Sequence, residues 1–249
     1  MIQWVKKMRN ILFVILAIIW GRMGNLSHAN ILVAVKSGNK VVLGTDSRVS
    51  SNGGRIVSNR RATKLHRLSK SCTLCYVGGI GSEFNQLCRD LEAVLLLDEY
   101  PSYVSAASGA AMERLSPRAV AQFARRLINV KYRSLHVVVA GCTHSAAPAP
   151  SRGRAHDLDA DADADADTGA DVCIVEVAPN GFTVEHAESV ACGSAAVSVL
   201  GLFEQVLSSS SDDGEDPLIG VQRVVRSVVE TAISLDPRCG GPAQVLTLT

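Results

Sequence analysis

The chain predicts an α+β protein built as a four-layer α-β-β-α sandwich: two stacked, mainly antiparallel sheets flanked by helices. Three observations carry this. Apolar runs arrive in blocks, as strands, two helices, strands, two helices and a closing strand. Sheets pressed face to face with helices outside bury both faces of such strands. The 249 residues, 47% hydrophobic and 20% charged, are ordinary globular composition, enough for one large domain.

In order, residues 1–29 differ from the rest. Lys6, Lys7 and Arg9 precede the apolar run Ile11–Trp20, and Ser27-His28-Ala29 closes the segment. A basic start, a short apolar stretch and small residues read as a signal-like segment. The run is shorter than the ~20 residues a bilayer span needs. A removable propeptide and a true start at Met23 are the other readings, and the absence of a secreted-protein disulfide pattern in the sequence counts against the signal. One domain then extends over residues 30–249.

Its first element is a hairpin, Leu32–Arg48, with Ser37-Gly38-Asn39-Lys40 as the turn. The second strand runs into Gly44-Thr45-Asp46-Ser47-Arg48. A buried strand does not end in packed polar groups unless they meet partners, so this end is a candidate site. Val49–Thr63 is polar and Gly-rich, with at most one short strand at Ile56-Val57, and Lys64–Leu68 alternates as an edge strand does. Cys72–Val77 is a buried strand leading through Gly78-Gly79 into a helix over about 82–98, capped by Ser82. A linker, Ser102–Glu113, precedes a second helix opened by Ser116-Pro117, with Val120, Phe123, Ala124, Leu127 and Ile128 on its apolar side.

Leu135–Gly141 is a central strand. Residues 146–170 hold an alternating Asp-Ala repeat with no apolar payload, which predicts a disordered insertion and lacks a calcium-loop pattern. Asp171–Val177 and Phe182–Glu185 form a hairpin around Ala178-Pro179-Asn180-Gly181. Ser189–Cys192 leads into a third helix, a Ser-rich acidic loop covers Ser208–Asp216, Pro217 opens the last helix, and Val245–Leu248 is a final strand.

Net charge of +1 gives no general attraction to nucleic acid or membrane, and 4% aromatic content argues against base stacking. The seven cysteines are odd in number and most sit in apolar runs, so they read as small buried hydrophobes. Cys72-x-x-Cys75 has no partner pair at zinc spacing, so neither metal nor cofactor is expected.

Five short motifs fall in a recognisable order. They are the hairpin ending Gly44-Thr45-Asp46-Ser47-Arg48, Tyr76-Val77-Gly78-Gly79 before a helix, Val139-Ala140-Gly141, Ala191-Cys192-Gly193-Ser194 before a helix, and Asp236-Pro237-Arg238-Cys239-Gly240-Gly241. Together with Lys64-Leu65 they resemble proteasome β subunits across residues 30–249, apart from the insertion. The resemblance implies the N-terminal-nucleophile hydrolase sandwich, the same layering the element order predicts.

Active members use a threonine exposed at the chain start, its own amine serving as base. Carried over by position, the tuning aspartate is Asp46 and the lysine is Lys64, the latter only if its preceding loop holds about two extra residues. The site serine is Ser194 and the late aspartate is Asp236, while Cys239 stands where active members have another serine. Gly79 matches a glycine lending its N–H to the oxyanion. The nucleophile position falls on Asn30, preceded by Ala29. An amide has no acidic hydroxyl or thiol, and loss of a nucleophile leaves only residual catalysis. No catalytic residue is therefore expected.

Each residue also has a structural reading: Asp46 and Lys64 as a buried pair, Ser194 as a helix N-cap, Gly79 as a tight turn, Asp236 and Arg238 as contacts near a ring interface. The resemblance implies a non-catalytic β subunit of the 20S core particle. Such a subunit builds a seven-membered ring with other α and β subunits for ubiquitin-dependent protein degradation in cytoplasm and nucleus. The late region is most similar to the beta-six type, and the Leu115-Ser116-Pro117 helix to the beta-four type. An active threonine endopeptidase of the same complex is the alternative. A secreted or membrane-anchored protein is a third reading, resting on residues 1–29 alone.

Overall fold

The computed structural model describes residues 30–51, 56–96, 116–143, 171–209 and 216–249. The N-terminal extension, the linker at 102–113 and the Asp-Ala insertion lie outside them. Strands β1 (Ile31–Ser37) and β2 (Lys40–Thr45) form the expected hairpin, antiparallel and closed at the Ser37–Lys40 pair. The chain continues through β3 (Val49–Ser51), β4 (Ile56–Asn59), β5 (Leu65–Arg67), β6 (Cys72–Gly78), α1 (Gly81–Leu96) and α2 (Pro117–Val130). Then come β7 (His136–Thr143), β8 (Asp171–Val177), β9 (Thr183–Glu185), β10 (Ser189–Gly193), α3 (Ala196–Ser209), α4 (Pro217–Leu235) and β11 (Gln244–Leu248).

The strands form a four-stranded sheet ordered β10-β1-β2-β11 and a five-stranded sheet ordered β5-β6-β7-β8-β9, with every pairing antiparallel. Side chains alternate between faces of a strand, and the first strand shows the result. Leu32 and Ala34 face the other sheet, where they share a core with Cys75, Val77, Val138 and Ile174. Ile31, Val33 and Val35 face outward, onto Val225, Val228 and Val229 of α4. On the opposite outer face, Leu74, Val137 and Val139 pack beneath Phe84, Leu87 and Leu91 of α1 and Val120, Ala124 and Ile128 of α2. Three apolar interfaces between four layers make this the N-terminal-nucleophile hydrolase sandwich that the sequence predicts.

Two helix starts match their signals. Ser116 Oγ accepts the Ala119 N–H at 3.2 Å, and Asp216 Oδ1 accepts the Leu218 N–H at 2.9 Å, each just ahead of a proline in the first turn. The first helix differs. It starts at Gly81, and the Ile80 carbonyl takes the N–H groups of Glu83 and Phe84 at 2.9 and 3.1 Å. Ile80 thus occupies the cap position expected for Ser82. The polar stretch after the hairpin holds two short strands, β3 and β4, rather than one, because Val49–Ser51 pairs with Ile56–Asn59.

All seven cysteines are free and buried. Cys72 faces the α1–α2 side of its sheet and Cys75 the inter-sheet side, so the Cys-x-x-Cys cannot close on one ion. Among the described residues no helix is long and apolar enough to cross a membrane.

Candidate functional site

The polar end of β2 finds its partners where β1 begins. Asp46 and Lys64 are 0% and 1% exposed, and Asn30 is 3% exposed. Three separate segments deliver them: the residue before β1, the residue after β2 and the residue before β5. Lys64 Nζ donates to Asp46 Oδ1 at 2.7 Å and to Asn30 Oδ1. The carboxylate is otherwise filled by backbone: the Ile31 N–H reaches Oδ1 at 3.2 Å and the Gly240 N–H reaches Oδ2 at 3.1 Å. Asn30 Nδ2 donates to the Val77 carbonyl at 2.7 Å. Both ends of the Asn30 amide are therefore engaged. Burial pushes the Lys64 ammonium below its ordinary range, and Asp46 pulls it only part of the way back.

Two glycines shape this corner. Gly193 has φ 107° and pairs with Ile31 across β10 and β1; a Cβ there would lie 2.2 Å from the Asn30 carbonyl oxygen. Gly79 has φ 115°, and a Cβ there would lie 2.7 Å from the Ser134 carbonyl oxygen. A side chain at either position would meet backbone, so the turn out of β6 demands glycine whatever else Gly79 does.

Ser194, Asp236 and Cys239 form a second group beside the first. Ser194 Oγ donates to Asp236 Oδ2 at 2.8 Å, while the Arg238 backbone N–H and Nε each donate to Oδ1 at 2.9 Å. Helix α3 begins at Ala196, so Ser194 is not its N-cap: the hydroxyl is spent on Asp236 instead. Burial works against the Asp236 charge, but the Arg238 and Ser194 hydrogen bonds outweigh it and hold the carboxyl below its usual range. Cys239 is fully buried, and burial pushes its thiol up to about 12, with Asp46 and Asp236 adding to the effect. At neutral pH it is a protonated thiol, a poor nucleophile.

Three contributors escaped the sequence reading. The Tyr76 hydroxyl donates to the Gly79 carbonyl, and burial raises its phenol to about 12, with Asn30 opposing. Gln244 ties Lys64 to the last strand, its Oε1 accepting the Lys64 N–H at 3.4 Å and its Nε2 donating to the Ala62 carbonyl at 2.9 Å. Gly240 supplies the N–H on Asp46. No local pattern marks Gln244, which acts through partners distant in sequence, whereas Tyr76 sits in the Tyr76-Val77-Gly78-Gly79 motif and its hydroxyl reaches a carbonyl only three residues on. Gly240 does sit in the Cys-Gly-Gly run already singled out. An open cavity of about 650 Å³ adjoins Lys64, lined among others by Val49, Arg61, Tyr76, Ile80 and Phe84.

A family model described as Proteasome subunit matches residues 26–148, just under half of the chain. The match begins ahead of β1 and spans Asn30, Asp46, Lys64 and Gly79, so over this stretch the chain is similar to proteasome subunits. No curated protein matches the chain significantly.

Proposed function

We propose that this chain is a β-type subunit of the proteasome core particle that builds the ring around the proteolytic chamber without cleaving peptide itself. The observation that carries the reading is the buried contact of Asn30 with Lys64. Peptide-bond cleavage by this site class needs a hydroxyl or thiol whose proton an adjacent base removes. Lys64 contacts an amide and a carboxylate here, and the amide cannot form an acyl-enzyme. The remaining frame, Asp46 with Lys64 and Ser194 with Asp236, then acts as a polar clamp. It fixes the edges of both sheets against the turn at Gly240. Such a clamp presents stable ring faces to neighbouring subunits, which do the cutting. The same reading places the chain in cytoplasm and nucleus, in ubiquitin-dependent degradation, with protein partners and neither nucleic acid nor membrane.

Treatment of the assembled particle with a threonine-directed covalent probe, followed by mass spectrometry of each subunit, tests this. Label is expected on other β chains and none on this one. Label here, or a mature chain that starts at threonine or serine, would establish the active endopeptidase instead.

A further inference from the structure

Beside the Asn30 corner, another polar cluster lies between the two sheets. His136 opens β7, Glu176 lies on β8 and Cys192 on β10. Their donor atoms, the His136 ring nitrogen, a Glu176 oxygen and the Cys192 Sγ, all fall within 4.8 Å of one another. His136 Nε2 lies 2.7 Å from Glu176 Oε1. His186, in the connection from β9 to β10, places its Nε2 2.9 Å from Glu176 Oε2. Cys192 is 6% exposed among apolar residues that include Cys75 and Val138.

We propose that His136, Glu176 and Cys192 form a zinc-type metal site, with His186 orienting the carboxylate from behind. The donor chemistry selects the ion. An imidazole, a carboxylate and a thiolate suit a borderline-soft divalent metal, whereas calcium and magnesium take oxygen ligands. The size is right after a small adjustment: bonds of ~2.0 Å to nitrogen and ~2.3 Å to sulfur put tetrahedral ligands about 3.3–3.5 Å apart, so the 2.7 Å His136–Glu176 pair opens while Cys192 closes in from within 4.8 Å. The supporting shell is present as well, since His186 fixes Oε2 and leaves Oε1 to the metal, the arrangement that orients ligating carboxylates elsewhere. On binding, the Cys192 S–H proton leaves for solvent as the Zn–S bond forms. His136 takes the Nδ1–H tautomer, so that its Nε2 lone pair faces the ion. His136 is 22% exposed, and this partly open rim leaves the fourth position to water. Because His136 and Glu176 belong to the five-stranded sheet and Cys192 to the four-stranded one, the ion would fasten the two sheets together.

The test is metal titration of the purified full-length chain, first stripped with chelator. One equivalent of Co²⁺ should bind with a thiolate-to-cobalt charge-transfer band in the near ultraviolet, and one equivalent of Zn²⁺ should abolish it. Cys192→Ser should lose the band and Cys88→Ala, on the far side of the sheet, should keep it. Zinc should also raise the unfolding temperature of the unmodified chain and not that of C192S. A wild-type chain that takes up no cobalt at micromolar concentration overturns the site, and so does a band that survives in C192S. Unchanged unfolding temperature on zinc addition would likewise leave Glu176 as a hydrogen-bonded pin between two histidines and nothing more.

Discussion

Replacing Lys64 with methionine isolates the energetics of the Asn30 corner. Methionine fills most of the volume, so the change is electrostatic rather than a large cavity. It strands the Asp46 carboxylate, which is 0% exposed, with only the Ile31 and Gly240 N–H groups for company. Breaking a buried ion pair by removing one partner destabilises by about 3–5 kcal/mol. Two retained amide bonds argue for the lower end, about 3 kcal/mol, a large share of the ~5–15 kcal/mol that holds a typical domain. At ~2–4 °C per kcal/mol for a chain of this size, the unfolding temperature should fall by about 6–12 °C. The assay is thermal and denaturant unfolding of four proteins: wild type, Lys64→Met, Asp46→Asn and the double variant. Once both charges are gone, no uncompensated charge remains, so the double variant should recover at least half of the loss. A single variant within about 1 kcal/mol of wild type, or a double variant as unstable as the single, would refute the reasoning.

Asn30→Ala should destabilise by about 1–3 kcal/mol, because Lys64 and the Val77 carbonyl lose a buried partner; peptide hydrolysis by particles carrying it should stay at the wild-type rate. Gly193→Ala should lose about 1–3 kcal/mol from backbone strain alone, with the Asn30 carbonyl in its way, whereas Gly201→Ala, in α3 with open space around it, should gain about 0.5–1 kcal/mol. Denaturant melts of the two report opposite signs. Ser116→Ala removes the cap of α2 and should lower stability by about 1 kcal/mol by the same measurement. Asp236 is held below the ordinary carboxylate range by Arg238 and Ser194, so its contribution is fully present above its unfolded value of 3.8 and disappears as pH falls through the lower folded value. Asp236→Asn should flatten the stability-against-pH curve below about pH 4, and an unchanged acid limb would contradict the pairing.

Most of the layering was readable because burial imposes a pattern. Ile31 to Val35 is apolar throughout, as a strand buried on both faces is, and Val120, Ala124 and Ile128 repeat on one helix face. The capping chemistry of Ser116 is equally local. What escaped was local signal with a distant competitor. Ser194 looks like an N-cap, but Asp236, at the C-terminal end of α4, takes its hydroxyl. Ser82 loses the cap position to Ile80, two residues earlier, whose carbonyl closes the first turn. Val49–Ser51 has little strand character of its own and is held by its pairing with β4. At the candidate site, Asn30, Asp46 and Lys64 were legible, whereas the roles of Gln244 and of the Tyr76 hydroxyl were not. Their importance depends on which carbonyl or amide happens to lie opposite in the folded chain.

The strand order of the four-stranded sheet also governs when this chain can fold. Its centre, β1 and β2, is made first during synthesis, yet its flanks are β10 and β11, with Leu32 opposite Cys192 and Gln244 opposite Thr45. Until the last strand emerges, a nascent chain therefore carries a hairpin with unpaired edges and an outward row of Ile31, Val33 and Val35 waiting for α4. Such long-range pairing folds slowly and exposes sticky edges meanwhile. A chain truncated before Gln244 would present β2 as an open edge for other chains to join.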